Sequence, residues 1–134
     1  MANILAIDYG EKRVGIAIAK GGFTFPRPHL DRKSSSFWKD LIDLIKKEKV
    51  DKVIVGYPIT LKGLHGRVAT LVDEFVDTLK TQLPKDVEVI LLDERFTSKI
   101  AKDMLLDMYG NKYSVDSLAA LELLRGYLSS EGKD

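Results

Sequence analysis

Asp8, Glu94 and Asp116 are the residues of this 134-residue chain whose types and settings could do chemistry together. Asp8 interrupts the apolar stretch ILAIDYGEKRVGIAIA where a strand should give way to a turn. Glu94 follows another apolar run, in LLDERFTS, and Asp116 stands in the first turn of the helical pattern YSVDSLAALELL. Taken singly, each has an ordinary explanation. Asp8 can accept a backbone N–H at a turn, Glu94 can pair with Arg95, and Asp116 suits the positive end of a helix dipole. Taken together, carboxylates from two strand ends and one helix start can converge on a hard cation, which takes oxygen ligands and keeps several waters. His29 and His65 have no partner at ligand spacing and do not compete for that role.

The elements that must position these acids follow a mixed α/β order. Ile4 to Tyr9 and Val14 to Ala19 are β-rich runs joined by Gly10-Glu11-Lys12-Arg13, a hairpin pattern, and Gly21-Gly22 turns into a third run around Phe23-Thr24-Phe25. Pro26 and Pro28 predict that this third strand is short or at an edge. Ser34 to Ser36 can cap a helix with Trp38, Leu41, Ile42 and Ile45 at helical spacing and lysines near its end. Val53 to Val55 reads as a strand, Ile59 to Arg67 as a loop, and Val68, Leu71, Val72, Phe75, Val76 and Leu79 as the apolar face of a helix stopped before Pro84. Val87 to Leu92 is a further strand. Two helices follow, Ser98 to Met108 and Val115 to Leu128, separated by the C-cap signal Tyr109-Gly110-Asn111.

The predicted fold is α/β: a five-stranded mixed sheet, an antiparallel meander plus parallel strands, flanked by helices. Right-handed crossovers would bring the carboxyl ends of the Ile4, Val53 and Val87 strands to one edge, where open α/β sheets place their ligands. Asp8, Gly56-Tyr57-Pro58 and Asp93-Glu94 fall on that edge.

Bulk composition sets limits on the partner. There are 21 Lys and Arg against 20 Asp and Glu, so any grip on nucleic acid must come from a local basic patch. No Cys is present, which removes disulfides and thiolate chemistry. The absence of a leader pattern or a bilayer-length apolar run predicts a soluble cytoplasmic protein with no membrane partner. The 45% hydrophobic content and the length suit one domain spanning 1–134.

Four blocks, in order and with fitting spacing, resemble the bacterial YqgF family, also called RuvX, which has a ribonuclease H-like fold. DYGEKRVGIA resembles its first-strand motif; VGYPITLKG is similar to its Gly-x-Pro turn with a downstream Gly. LLDERFTS looks like its Asp-Glu-Arg-Phe-Thr signature, and SVDSLAALELLRGYL is similar to its Val-Asp-x-x-Ala-Ala helix. The resemblance covers nearly the whole chain and implies a catalytic and metal-binding set of Asp8, Glu94 and Asp116. There are two departures: Glu11 where the family often has Thr, and Ser114 where it commonly has Lys.

The expected activity is metal-dependent phosphodiester hydrolysis with Mg²⁺ or Mn²⁺. Expected phosphate contacts are Lys12, Arg13, Lys62, Arg67, Arg95 and Lys99, and Tyr57, Phe96 and Tyr109 are candidates for stacking on bases. The resemblance implies two roles, processing of the 5′ end of pre-16S ribosomal RNA and resolution of four-way (Holliday) DNA junctions. RNA is favoured, in association with ribosomal precursor particles. A resolvase usually needs a symmetric dimer, and no coiled coil or strongly apolar exposed helix is evident, which predicts a monomer or weak dimer. Two other classes remain: an actin-like or sugar-kinase ATPase, whose phosphate motif also begins Asp-x-Gly but which needs two such domains, and a non-catalytic nucleic-acid binding module.

Overall fold

Ile4, Leu5, Ala6 and Ile7 are all buried although their side chains alternate across the strand, as expected where both faces of a sheet are covered. Their strand, β1 (Ile4–Asp8), is the middle of a five-stranded sheet. β2 (Arg13–Lys20) and β3 (Phe23–Asp31) form the antiparallel meander, while β4 (Lys52–Tyr57) and β5 (Glu88–Asp93) run parallel to β1. The spatial order is β3-β2-β1-β4-β5. Among the described residues there are four helices: α1 (Phe37–Lys47), α2 (Arg67–Gln82), α3 (Lys99–Tyr109) and α4 (Val115–Glu131). The computed structural model describes residues 2–57, 66–93, 99–110 and 112–131, with the backbone alone for 99–102 and 131.

The two faces of the sheet differ in side-chain size, and the difference decides where each helix can go. Leu5, Ile7, Val14, Ile16, Ile18, Val53 and Val55 face α1 and α2, and pack with Phe37, Leu41, Ile45, Phe75 and Leu79. The opposite face carries Ile4, Ala6, Ala17, Ala19 and Ile54, packed against Leu118, Leu121, Leu124 and Tyr127 of α4 and Leu105 of α3. Small residues on β1 and β2 leave room for α4 to lie close to the strands. The contacts of α4 accordingly fall mainly on β2, β3 and β1. Truncating a fully buried residue such as Leu5 to Ala should cost about 2–5 kcal/mol.

Several local expectations are refined. β3 lies at the edge as the prolines require, but it is not short, and Pro26 sits opposite Ala17 within the ladder. An edge strand tolerates this because one side has no ladder to complete. In α1 it is Phe37 that is buried, while Trp38 is half-buried and stacks on Phe75 at 5.2 Å. Ser36 occupies the N-cap position without a side-chain bond to the helix backbone; its hydroxyl donates to Asp40 Oδ2 at 2.9 Å. In α2 Ala69 is buried and Val68 is exposed, so the apolar stripe begins one residue later than its pattern suggests. Gly110 has φ +59 and donates its N–H to Leu106 O at 2.7 Å, ending α3 as the C-cap signal predicts. On α3 Met104, Leu106 and Met108 are exposed. No helix among the described residues is long and apolar enough to cross a membrane.

Candidate active site

Asp8 ends β1 directly opposite Gly15 of β2. Directly opposed residues in an antiparallel pair project to the same face, and the residues sharing parity with Asp8 and Gly15 are Ile4, Ala6, Ala17 and Ala19, all packed toward α4. Gly15 is where that helix touches the sheet. A Cβ built on Gly15 would stand 1.9 Å from the Asp116 carbonyl oxygen and 2.8 Å from the Ser117 nitrogen, so only glycine admits the first turn of α4 at this position. Asp8 and Asp116, far apart in the chain, thus share one face at the carboxyl end of β1.

Ser114 fixes the start of that helix. Its hydroxyl accepts the Ser117 N–H at 3.2 Å, the contact of an N-cap, and its carbonyl accepts the Leu118 N–H at 3.1 Å. Ser117 is fully buried beside Gly15. The departure from a family lysine at position 114 therefore supplies a cap that sets the backbone carrying Asp116.

Arg13, at the start of β2, reaches Asp116 rather than standing free for phosphate. Its Nε lies 3.0 Å from Asp116 Oδ2. This is an ion-pair distance, but no aligned hydrogen bond satisfies Oδ2, and that atom is buried although the side chain as a whole is 26% exposed. Among the described residues this buried oxygen has the Arg13 guanidinium as its ion-pair partner, and a carboxylate oxygen next to an acid-bearing strand end is of the type that can ligate a hard cation. Among the described residues no group of three His, Cys, Asp or Glu could hold a metal ion; Asp8 and Asp116 are the two expected acids within them.

Other expected contacts divide into three kinds. Glu94, Lys62, Arg95 and Phe96 lie outside the described residues, as does the side chain of Lys99, whose backbone opens α3. Lys12 is exposed in the β1–β2 turn, and its carbonyl accepts the Arg32 N–H at 2.9 Å. Arg67 is engaged: its Nη1 and Nη2 donate to the two carboxylate oxygens of Glu11 at 2.5 and 3.1 Å. That fork raises the Arg67 pKa and, with the hydrogen bond as the main cause, lowers the Glu11 carboxyl from its ordinary value.

The aromatic candidates are tied into the fold. Tyr57 packs at the edge of the core and donates its hydroxyl to Asp73 Oδ2 at 3.2 Å; burial, then this bond, raises its pKa. Tyr109 meets Tyr113 edge-to-face at 5.9 Å. Sequence reasoning overlooked the role of Gly15, although the glycine lies within the first motif; a lone glycine inside a strand is the signal for close backbone approach. It also overlooked Arg32 and Lys33, which lack a recognisable motif.

The arrangement has known relatives. The RuvX family, described as Holliday junction resolvase, matches residues 2–130. The chain belongs to the RuvX family. Among its RuvX relatives, a protein of Sulfurihydrogenibium sp. (strain YO3AOP1) is 39% identical over 131 residues, covering 96% of this chain and 90% of that one. One from Acetivibrio thermocellus is 36% identical over 139 residues, covering 98% of each. Both bear the name "Putative pre-16S rRNA nuclease". The fold of this RuvX chain is shared with T. thermophilus RuvC in complex with Holliday junction substrate, at TM-score 0.57 and 13% identity over 98% of this chain and 97% of that one. It is shared too with the fowlpox virus Holliday junction resolvase, at TM-score 0.58 and 16% identity over 96% and 99%. The chain thus has the ribonuclease H-like architecture and belongs to a nuclease family.

Proposed function

We propose that this chain is a divalent-metal-dependent nuclease, a single domain over 1–134, that hydrolyses phosphodiester bonds in the 5′-end processing of pre-16S ribosomal RNA. The observation that carries the reading is the Gly15 contact, which brings the Asp116 backbone against the strand pair that ends in Asp8. The names of the curated relatives support the RNA substrate.

Asp8, Glu94 and Asp116 are the residues that would hold Mg²⁺ or Mn²⁺, through carboxylate oxygens of the hardness these ions prefer. A divalent ion there supplies a nucleophile near neutral pH and charge stabilisation for the leaving oxygen. Glu94 adjoins the end of β5, and Leu92, two residues earlier, packs on the α4 face shared with Asp8. β1, covered on both sides, gives Asp8 a rigid support. The Ser114 cap holds the backbone that carries Asp116, and Lys12, Lys62, Arg95 and Lys99 are cations that can meet backbone phosphates.

The test is incubation of the purified chain with precursor 16S RNA and with a synthetic four-way DNA junction, each with Mg²⁺, Mn²⁺ or chelator. Cleavage of the RNA that requires the metal and disappears in Asp8→Asn, with the fold retained, is the expected result. The family description favours a second reading, junction resolution; paired cuts in the junction with intact RNA would establish it. Metal-independent binding without cleavage of either substrate would instead make the chain a binding module.

A further inference from the structure

On the other face of the sheet from Asp8 and Asp116, one residue further along, Tyr9 forms part of an open groove of about 520 Å³ that also carries Glu11, Arg32, Lys33, Ser34 and Arg67. Three cations lie in it. Arg32 is held by aromatics: its guanidinium carbon stands 4.9 Å from the Phe37 ring centroid, 5.6 Å from Trp38 and 6.0 Å from Phe75. Its Nε is buried without a hydrogen-bond partner, and neither Arg32 nor Lys33 has a carboxylate partner within ion-pair distance among the described residues. The backbone bond from Arg32 N–H to the Lys12 carbonyl ties this wall to the hairpin that carries Glu11. Against the two unpaired cations, Arg67 is fully engaged by both oxygens of the Glu11 carboxylate, in the bidentate geometry a phosphate would also satisfy.

We propose that this groove is a second backbone-phosphate subsite, in which Arg32, Lys33 and Arg67 receive a phosphodiester of the bound nucleic acid and Glu11 occupies the anion position on Arg67 until that phosphate displaces it. The subsite rests on the reading of the chain as acting on nucleic acid. Glu11 and Arg67 are substantially exposed, at 45% and 72% of their side-chain surface, so the pair can open without disturbing the core. It is an exposed ion pair with little intrinsic strength, which a multiply charged ligand can replace. Glu11 lowers affinity for nucleic acid in general and makes occupancy of the groove conditional on displacing its carboxylate.

Binding of a labelled single-stranded RNA to the full chain, followed by fluorescence anisotropy in chelator over a range of salt, tests the subsite. Glu11→Gln should tighten binding about threefold, the scale of removing one exposed competing pair. Lys33→Ala and Arg67→Ala should weaken binding and each reduce the salt slope by about 0.7, one phosphate contact on a single strand. In Glu11→Gln with Arg67→Ala the gain should vanish. Affinity of Glu11→Gln at or below the unsubstituted chain, or an unchanged salt slope in both cation variants, overturns the subsite. Binding of inorganic phosphate, followed by calorimetry, that weakens in Lys33→Ala and Arg67→Ala while the RNA affinities of the variants are all equal assigns the groove to a free phosphate and overturns the backbone reading. Cleavage that persists while all variants bind alike removes the groove and leaves the nuclease; absence of cleavage with the affinities ordered as stated removes the nuclease and keeps the groove.

Discussion

Gly15 and Asp116 meet backbone to side-chain position: the Cβ that any other residue would add at 15 falls 1.9 Å from the Asp116 carbonyl oxygen. Because Gly15 is the ladder partner of Asp8, this one contact couples the docking of α4 to the assembly of the site. Gly15→Ala should therefore push the first turn of α4 off the sheet. The overpacking cost is about 1–3 kcal/mol, read as a lower urea midpoint, and activity should fall by more than the remaining folded fraction explains. A stability and an activity equal to those of the unsubstituted chain would show that α4 does not sit so close.

Ser114→Ala removes the hydroxyl that accepts the Ser117 N–H. Loss of an N-cap costs about 1 kcal/mol, measurable in urea unfolding, and Ser114→Asp should restore most of it. If Ala and Asp behave alike, the cap contributes nothing.

Arg13 and a metal ion compete for the same oxygen of Asp116. Arg13→Gln should leave stability within about 1 kcal/mol, since Arg13 is 60% exposed and its ion pair is screened by solvent. Mn²⁺ binding followed by calorimetry should tighten. Weaker Mn²⁺ binding would instead make Arg13 the residue that orients Asp116 toward the ion.

Glu11 should titrate below the ordinary glutamate value, chiefly because Arg67 hydrogen-bonds its carboxylate; desolvation opposes this, and the charges of Arg67 and then Lys33 add smaller contributions in the same direction as the bond. A lowered folded-state pKa means the pair stabilises the fold above the unfolded value and ceases to do so as pH falls through the folded one. An NMR titration of the Glu11 carboxyl carbon should show the low midpoint and its return toward the ordinary value in Arg67→Ala. Identical midpoints in both proteins would remove the pair in solution.

Much of this was legible before the structure. The element order and the mixed sheet follow from alternating and continuous apolar runs, and the continuous burial of Ile4 to Ile7 explains why Asp8 stands out at the end of its strand. Pattern alone cannot show which side chains meet across the sheet. Arg13 and Arg67 look like free cations in the sequence, yet each has a carboxylate partner, Asp116 and Glu11, that only the hairpin geometry supplies. The exposed methionines of α3 were equally invisible, because helical spacing does not say which stripe of a mixed helix finds the core. Val68 and Ala69 show the same effect on a smaller scale: hydrophobicity favours valine inside, but the rotation of α2 about its axis buries the alanine.

Anomalous diffraction from crystals of the chain soaked in Mn²⁺ reads the metal-binding role of Asp8, Glu94 and Asp116 without any substrate. A peak is expected at the carboxyl end of β1 within ligand distance, roughly 2.0–2.3 Å, of oxygens from Asp8, Asp116 and Glu94, and it should be lost in Asp8→Asn. Manganese bound only at other acidic residues, or carboxylates of Asp8 and Asp116 that share no ion, would contradict that role.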